Sequence, residues 1–200
     1  MEMILSPTSI PASSAMESGY TLFTVVSMFF HLVLGVILAF MLNMKIKGKK
    51  FLRTIVLIPW AMPMVVAGLA ARWAFNDQYG LINDLIRKFI PNFHFDWLVH
   101  AGSAQGAVIA VDLWKDLPFF SILVLAALQF LSADIYEAAK IDGASKSQIL
   151  RKVTIPLVMP SVTICLFLTI SNAFKLFDQN LALTDGAPSG ATSMLALDIY

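Results

Sequence analysis

Residues 20 to 42 form a run of twenty-three residues without one formal charge. A helix needs about 20 mostly apolar residues to cross about 30 Å of hydrocarbon, so this run predicts a membrane span. Three further mostly apolar runs cover residues 54 to 75, which is uncharged up to Arg72, about 104 to 131, and 153 to 174. Pro59 and Pro63 predict a kink in the second run, where neighbouring helices can re-satisfy the backbone. We therefore predict an all-α, polytopic helical membrane protein with about four spans.

The composition agrees with a protein that lies in a bilayer. Hydrophobic residues make up 58% of the chain and charged residues 14%, whereas soluble domains average about 45–50% and about 25%. A net charge of +1 supplies no basic face for phosphates, so nucleic acid is not expected as a partner. The single cysteine, Cys165, excludes a disulfide within the chain.

The charges of the loops predict the orientation of the spans. Residues 43 to 53 carry five Lys and Arg and no acid, and residues 132 to 152 carry four more. Because Lys and Arg are enriched in cytoplasmic loops, both loops should be cytoplasmic, with residues 76 to 103 and 179 to 200 outside. Residues 1 to 19 then form a polar external head, and residues 20 to 200 form one membrane domain.

The sequence contains none of the common catalytic or cofactor signatures. It has no H-E-x-x-H metal motif, no G-x-S-x-G nucleophile motif, no cysteine pair and no phosphate-binding loop. His94 and His100 are six residues apart and share no helical face, so they are not expected to bind a metal. We predict no catalytic residues, no metal and no cofactor in this chain.

Residues 132 to 156 form an amphipathic segment between the third and fourth predicted spans. Apolar residues at helical spacing predict a helix that ends at Asp142-Gly143, where glycine allows a turn, followed by a second helix. Ala138 and Ala139 let another surface approach closely, and Glu137 offers a carboxylate to a basic partner. The alternative is a helix resting on lipid headgroups, but the first helix lacks the aromatic and Lys-rich flanks typical of that role. We therefore predict a helix-turn-helix that docks on another protein.

The run EAAKIDGASKSQILRKVTIP, residues 137 to 156, resembles the E-A-A-x3-G-x9-I-x-L-P signature of ATP-binding-cassette (ABC) importer permeases. Val153 and Ile155 replace the usual Ile and Leu. Phe177-Asp178 and residues 183 to 188 are similar to the carbohydrate branch of that family, the maltose and glycerol-3-phosphate type, although Ala187 stands where glycine is usual. The resemblance covers residues 20 to 200.

This resemblance implies a type I ABC importer permease fold and a subunit without an ATPase of its own. The implied partners are an ATP-binding subunit, a second homologous permease subunit and an extracytoplasmic solute-binding protein, assembled in the inner or plasma membrane. Family members have further spans, so we expect the chain to be a piece of a longer permease that lacks the first and last spans. The positions implied for coupling to the ATPase are Glu137, Ala138, Ala139, Asp142, Gly143 and Pro156.

Three charges within the third predicted span indicate a second site. Each charge inside a span costs about 2.5–3.5 kcal/mol on insertion scales, so such groups usually face a cavity or pair with one another. A Lys115–Asp112 ion pair and a polar solute path are both open at this point. The pattern Trp114-x3-Pro118-Phe119 also resembles the family, whose members contact sugar near these positions. The predicted substrate path is Asp112, Trp114, Lys115, Asp116, Phe119, Asn172 and Leu176.

The expected function is therefore import of a sugar or oligosaccharide. Import of another small solute, such as a glycerol phosphodiester or a polyamine, is the nearest alternative. A truncated remnant that does not transport is the alternative of a different class.

Overall fold

The computed structural model describes residues 10–44, 47–173 and 182–184. These residues contain helices and no strand, which confirms the all-α fold class. The helices are α1 (Ile10–Asn43), α2 (Lys49–Val56), α3 (Ile58–Ala61), α4 (Met64–Ala74), α5 (Leu81–Arg87), α6 (Ala101–Phe130), α7 (Ala133–Ile141), α8 (Lys146–Gln148) and α9 (Ile155–Ala173), with a π-helical segment, Ile149–Thr154, between α8 and α9.

Among the described residues, two unbroken helical stretches are long and apolar enough to cross a bilayer, Thr21–Asn43 and Lys146–Asn172. Two bent pairs of helices bring the number to four if each pair is one span: α2 and α3 with α4, and α6 with α7. The prediction of about four spans therefore holds if each bent pair is counted as one span. α1 begins at Ile10, so part of the segment predicted as a polar head is already helical.

The second predicted span is broken rather than kinked. α3 ends at Ala61 and α4 begins at Met64, with Pro63 in an extended conformation (φ −56°, ψ 139°) before it. Proline has no N–H and its ring disfavours helical geometry in the preceding residue, here Met62. The prediction of one kinked helix over residues 54 to 75 was therefore wrong, because Pro63 separates two helices.

The described residues fall into two compact units. One contains the residues up to Ser27, Met62–Lys115 and the residues from Ser171 onward, and the other contains Met28–Ala61 and Asp116–Ile170. In the second unit, α1, α6 and α9 share a buried cluster. A Cβ added at Gly35 of α1 would overlap the ring of Phe120 in α6, so glycine permits this close approach. The buried members of the cluster are Ala39, Leu42, Phe120, Val124, Leu125, Leu128, Val158, Val162 and Cys165.

The first unit includes the segment predicted to be external, residues 76 to 103. It contains a short helix, α5, which ends at Arg87. Asn83 of α5 is fully buried: its amide nitrogen donates to the carbonyls of Asp77 (2.9 Å) and Phe95 (3.0 Å), and its oxygen accepts from Trp97 Nε1 (2.8 Å). The segment therefore has its own polar core, and the Trp97 N–H is used within it.

Candidate functional site

α7 is an exposed helix of the predicted docking segment. None of its residues is buried within the described chain, although it carries apolar side chains. Ile135 is 38% exposed and Ile141, the last residue of the helix, is 86% exposed. Exposed apolar side chains mark a protein contact site when they form a larger apolar patch with polar residues around it.

The turn after α7 is built on Gly143. This residue has φ +74°, in the left-handed region that glycine adopts without strain. Its N–H donates to the carbonyl of Lys140 (3.0 Å), and the N–H of Ala144 donates to the carbonyl of Ala139 (3.0 Å). These two bonds define a Schellman motif, which satisfies the last carbonyls of a helix. Asp142 occupies the C-cap, so both residues of the predicted turn are where the sequence placed them.

The chain then enters a second helical stretch through a capping box at Ser145. Ser145 N donates to Gln148 Oε1 (2.8 Å), and Gln148 N donates to Ser145 Oγ (3.3 Å). This reciprocal pair satisfies two donors at the helix start. The helical stretch continues without a break into the Lys146–Asn172 span. The second helix of the predicted helix-turn-helix is therefore not a separate element, because no turn signal interrupts it.

A π-helical segment, Ile149–Thr154, connects this start to α9. It ends two residues before Pro156, whose missing N–H and bulky ring disturb the preceding turn, and a wider turn is one of the adjustments that accommodate proline. Thr154 is buried, and its hydroxyl lies 3.5 Å from Tyr136 Oη of α7 and 3.4 Å from the Ile149 carbonyl. This contact joins α7 to the base of α9.

The residues predicted for coupling thus lie together on one loop. Glu137 and Ala138 are exposed and Ala139 is half-buried. Asp142 and Gly143 form the turn, while Pro156 is exposed in the first turn of α9. We call residues 132 to 156 the coupling loop.

Sequence reasoning missed a polar contact at the base of this loop. Arg53, in α2, donates from Nη2 to the Leu42 carbonyl (3.1 Å), near the end of α1. When the Gln129 side-chain amide is oriented with its oxygen toward Arg53, Gln129 Oε1, near the end of α6, accepts hydrogen bonds from Arg53 Nη2 (2.7 Å) and Nη1 (3.2 Å). The sequence pattern indicated only that Arg53 belongs to a basic loop, and no local signal pointed to Gln129.

Part of the predicted substrate path lies in the first unit. Asp112 and Lys115 of α6 are each only 6% exposed. The Ser27 hydroxyl of α1 donates to Asp112 Oδ2, so the buried Asp112 side chain has a hydrogen-bond partner. Trp114 is 48% exposed and lines an apolar groove of about 490 Å³ together with alanines of α4. Asn172, also in this unit, is exposed, and Leu176 lies outside the described residues.

Asp116 and Phe119, the remaining path residues, belong to the second unit and are half-buried. The Phe119 ring stacks on the ring of Trp60 in α3, with centroids 4.7 Å apart and planes 5° from parallel. Trp60 is 42% exposed. The sequence did not point to Trp60 because the two residues lie on helices far apart in the chain.

His94 does not pair with His100. Its ring lies between two carboxylates, with Nε2 3.7 Å from Asp77 Oδ2 and Nδ1 3.8 Å from Asp96 Oδ1. These three side chains bring possible metal-ligating atoms within 4.8 Å of one another, and all are partly exposed. These separations are too long for direct hydrogen bonds between the ring and either carboxylate.

Comparison with known proteins places this architecture in a family. Residues 31–200 match the family described as the binding-protein-dependent transport system inner membrane component. The chain belongs to this family. The family predicted from residues 137 to 156 is therefore confirmed, and it is a family of transport-system membrane components, which are not themselves enzymes.

Two relatives illustrate the similarity. The trehalose/maltose transport system permease protein MalF of Thermococcus litoralis is 38% identical over 195 residues, which cover 94% of this chain and 66% of MalF. The probable starch degradation products transport system permease protein AmyD of Thermoanaerobacterium thermosulfurigenes is 34% identical over 168 residues, 84% of this chain and 56% of AmyD. The chain thus spans between half and two thirds of the length of these relatives.

A solved structure has the same fold. The crystal structure of a bacterial ABC transporter involved in the import of the acidic polysaccharide alginate contains a chain that superposes with a TM-score of 0.82. The match covers 100% of this chain and 72% of that chain at 21% identity. At this identity the likeness shows the fold, which confirms the predicted importer permease architecture.

Proposed function

We propose that this chain is the membrane-spanning permease subunit of an ATP-driven importer, and that its solute is a sugar or oligosaccharide delivered by an extracytoplasmic binding protein. The observation that carries the proposal is α7, an exposed helix that bears the E-A-A signature and ends at a glycine turn. ATP hydrolysis takes place on a separate ATP-binding subunit, for which α7 supplies the contact.

The surface of α7 suits a docking helix. Ala138 and Ala139 have small side chains, so the backbone of a partner can approach closely. Beside them, the exposed Glu137 carboxylate can accept charge-assisted hydrogen bonds from a basic side chain. Ile141 exposes 86% of its surface at the helix end and can fill an apolar pocket of the partner.

The attachment of the loop supports a role in coupling. α7 follows the end of α6 after a two-residue connection, and the contact of Tyr136 with Thr154 joins it to the base of α9. Both neighbours belong to the same packed cluster of α1, α6 and α9. When the ATP-binding subunit moves α7, these contacts pass the displacement to helices that enter the membrane.

The class of solute rests on the relatives and on the predicted path. MalF is by name a trehalose/maltose permease and AmyD a permease for starch degradation products. Sugars need carboxylate or amide groups for their hydroxyls and an aromatic face for their rings. Within the proposed path, Asp112 and Asp116 offer carboxylates, Asn172 an amide, and Trp114 and Phe119 aromatic faces.

The proposed assembly also contains a second homologous permease subunit, and it lies in the cell membrane with residues 43 to 53 and 132 to 152 on the cytoplasmic side. The coupling loop then faces the ATP-binding subunit. Residues 76 to 103 face the solute-binding protein.

Reconstitution tests the proposal. The permease pair, the ATP-binding subunit and the binding protein are placed in liposomes with radiolabelled maltose or trehalose. We expect uptake that requires ATP and the binding protein. Uptake that persists without ATP would contradict the ATP-driven mechanism.

The same assay separates the alternatives. A glycerol phosphodiester or a polyamine taken up in place of both sugars would overturn the solute class and keep the importer. Failure to associate with any ATP-binding subunit, together with no uptake of any solute, would support the non-transporting remnant.

A further inference from the structure

The guanidinium of Arg53 joins three helices at the base of the coupling loop. Arg53 lies in the last turn of α2. It bonds to the carbonyl of Leu42 near the end of α1 and to the side-chain oxygen of Gln129 near the end of α6. A planar guanidinium carries five donors and can bind both acceptors at once, which a lysine ammonium does with less geometric definition. The positive charge also complements the negative ends of two helices.

The position of Gln129 gives this contact a functional meaning. Gln129 precedes Ser132, the N-cap of α7, by three residues. The adjacent Leu128 is 4% exposed and belongs to the same buried cluster as Leu42. Arg53 therefore holds the end of α6 against α1 and α2 at the point from which α7 departs.

We propose that Arg53 is a positioning residue for energy coupling, tying the coupling loop to α1 and α2. The inference rests on the proposed function. Because α6 is bonded to Arg53, a displacement of α7 moves the ends of α1 and α2 with it. Without the bond, the chain between α6 and α7 can bend while α1 and α2 stay in place, so ATP is hydrolysed with less transport.

Charge alone does not explain the choice of arginine. Lys47, Lys49 and Lys50 in the same loop are exposed and already supply the positive charge that orients the spans. Lys50 lies on the same helix as Arg53, so Lys50→Met removes one charge from α2 and leaves the hydrogen bonds of Arg53 in place. It is the matched control for Arg53→Met.

The test measures solute imported per ATP hydrolysed in the reconstituted complex, with radiolabelled maltose or trehalose as the probe. Arg53→Met should lower this ratio about tenfold, the factor expected for losing a charge-assisted hydrogen bond, with ATP hydrolysis nearly unchanged. Gln129→Met should also lower the ratio of solute imported to ATP hydrolysed. The double variant should lower this ratio no further than Arg53→Met does. Arg53→Lys should recover part of the ratio, and Lys50→Met should keep it.

A second measurement is independent of the solute. Spin labels at Lys50→Cys and Lys140→Cys, in a Cys165→Ala background, report the distance between α2 and α7. In the wild-type complex this distance should stay constant when ATP is added, and in Arg53→Met it should change. Because Gln129 is exposed, Gln129→Met offers the same test if Arg53→Met does not fold.

A normal import ratio and a constant label distance in Arg53→Met would overturn the proposal. Independent, multiplying losses in the Arg53 and Gln129 variants would also overturn it, because they would exclude a shared bond. A wild-type complex that hydrolyses ATP without importing either sugar would contradict the sugar importer, while the label distances would still decide the role of Arg53.

Discussion

Replacing Gly143 tests whether the shape of the coupling loop determines docking. Gly143 has φ +74°, and a Cβ built there meets no atom within 4 Å. The effect of a substitution in the free subunit is therefore backbone strain alone, with no steric clash. A non-glycine residue in this region costs on the order of 1–2 kcal/mol, with valine at the upper end because of its β-branch. If docking requires this turn, the affinity for the ATP-binding subunit should fall about 5- to 30-fold.

The assay is a titration of the ATP-binding subunit against permease in lipid nanodiscs. Asn tolerates the left-handed region better than most residues, so Gly143→Asn should bind more tightly than Gly143→Val. Gly48 offers a matched control, since it has φ +82° and equally open surroundings in a different loop. Gly48→Val should carry the same strain and leave the affinity nearly unchanged.

Two results would refute this reasoning. Wild-type affinity in Gly143→Val would show that docking does not depend on the turn. Equal weakening by Asn and Val would show that a partner atom occupies the Cβ position, so that size and not φ sets the affinity.

Three further predictions concern docking, orientation and the external segment. Glu137→Lys, at an exposed position, should leave folding intact and weaken association with the ATP-binding subunit about tenfold or more through like-charge repulsion, measured by the same titration. In a Cys165→Ala background, an impermeant thiol reagent should label intact cells at Phe89→Cys and not at Ser147→Cys; labelling at Ser147→Cys would reverse the topology. Asn83→Ala should lower the free energy of unfolding by about 2 kcal/mol or more, because three partly buried partners lose their hydrogen bonds to a buried side chain. A denaturation curve that matches that of the exposed-site control Gln78→Ala would contradict it.

Local patterns in the sequence predicted much of the helical architecture. Long uncharged runs gave the positions of α1 and α9, because a bilayer demands a fixed length of apolar helix. The glycine at position 143 gave the turn after α7, because its conformational freedom is a property of one residue. The proline at position 63 was recognised, but whether a proline kinks or breaks a helix depends on packing around it.

The contacts between distant residues could not be predicted. The bond of Arg53 with Gln129 and the stack of Trp60 on Phe119 join helices that lie far apart in the sequence. Periodicity identifies which face of a helix is apolar, and it does not specify which helix covers that face. The hydrogen bonds of Asn83 could not be predicted for the same reason. An asparagine inside a short helix resembles any surface residue until its partners are known.

Photo-crosslinking tests the central claim, that α7 contacts an ATP-binding subunit, most directly. Ile141 in α7 and Phe89 after α5 are each 86% exposed, so a photoreactive phenylalanine at either site is equally accessible in the free chain. In membranes that contain the whole transport complex, we predict a crosslink from position 141 to the ATP-binding subunit and none from position 89. A crosslink from position 141 to lipid alone, with the ATP-binding subunit present and active, would contradict the account.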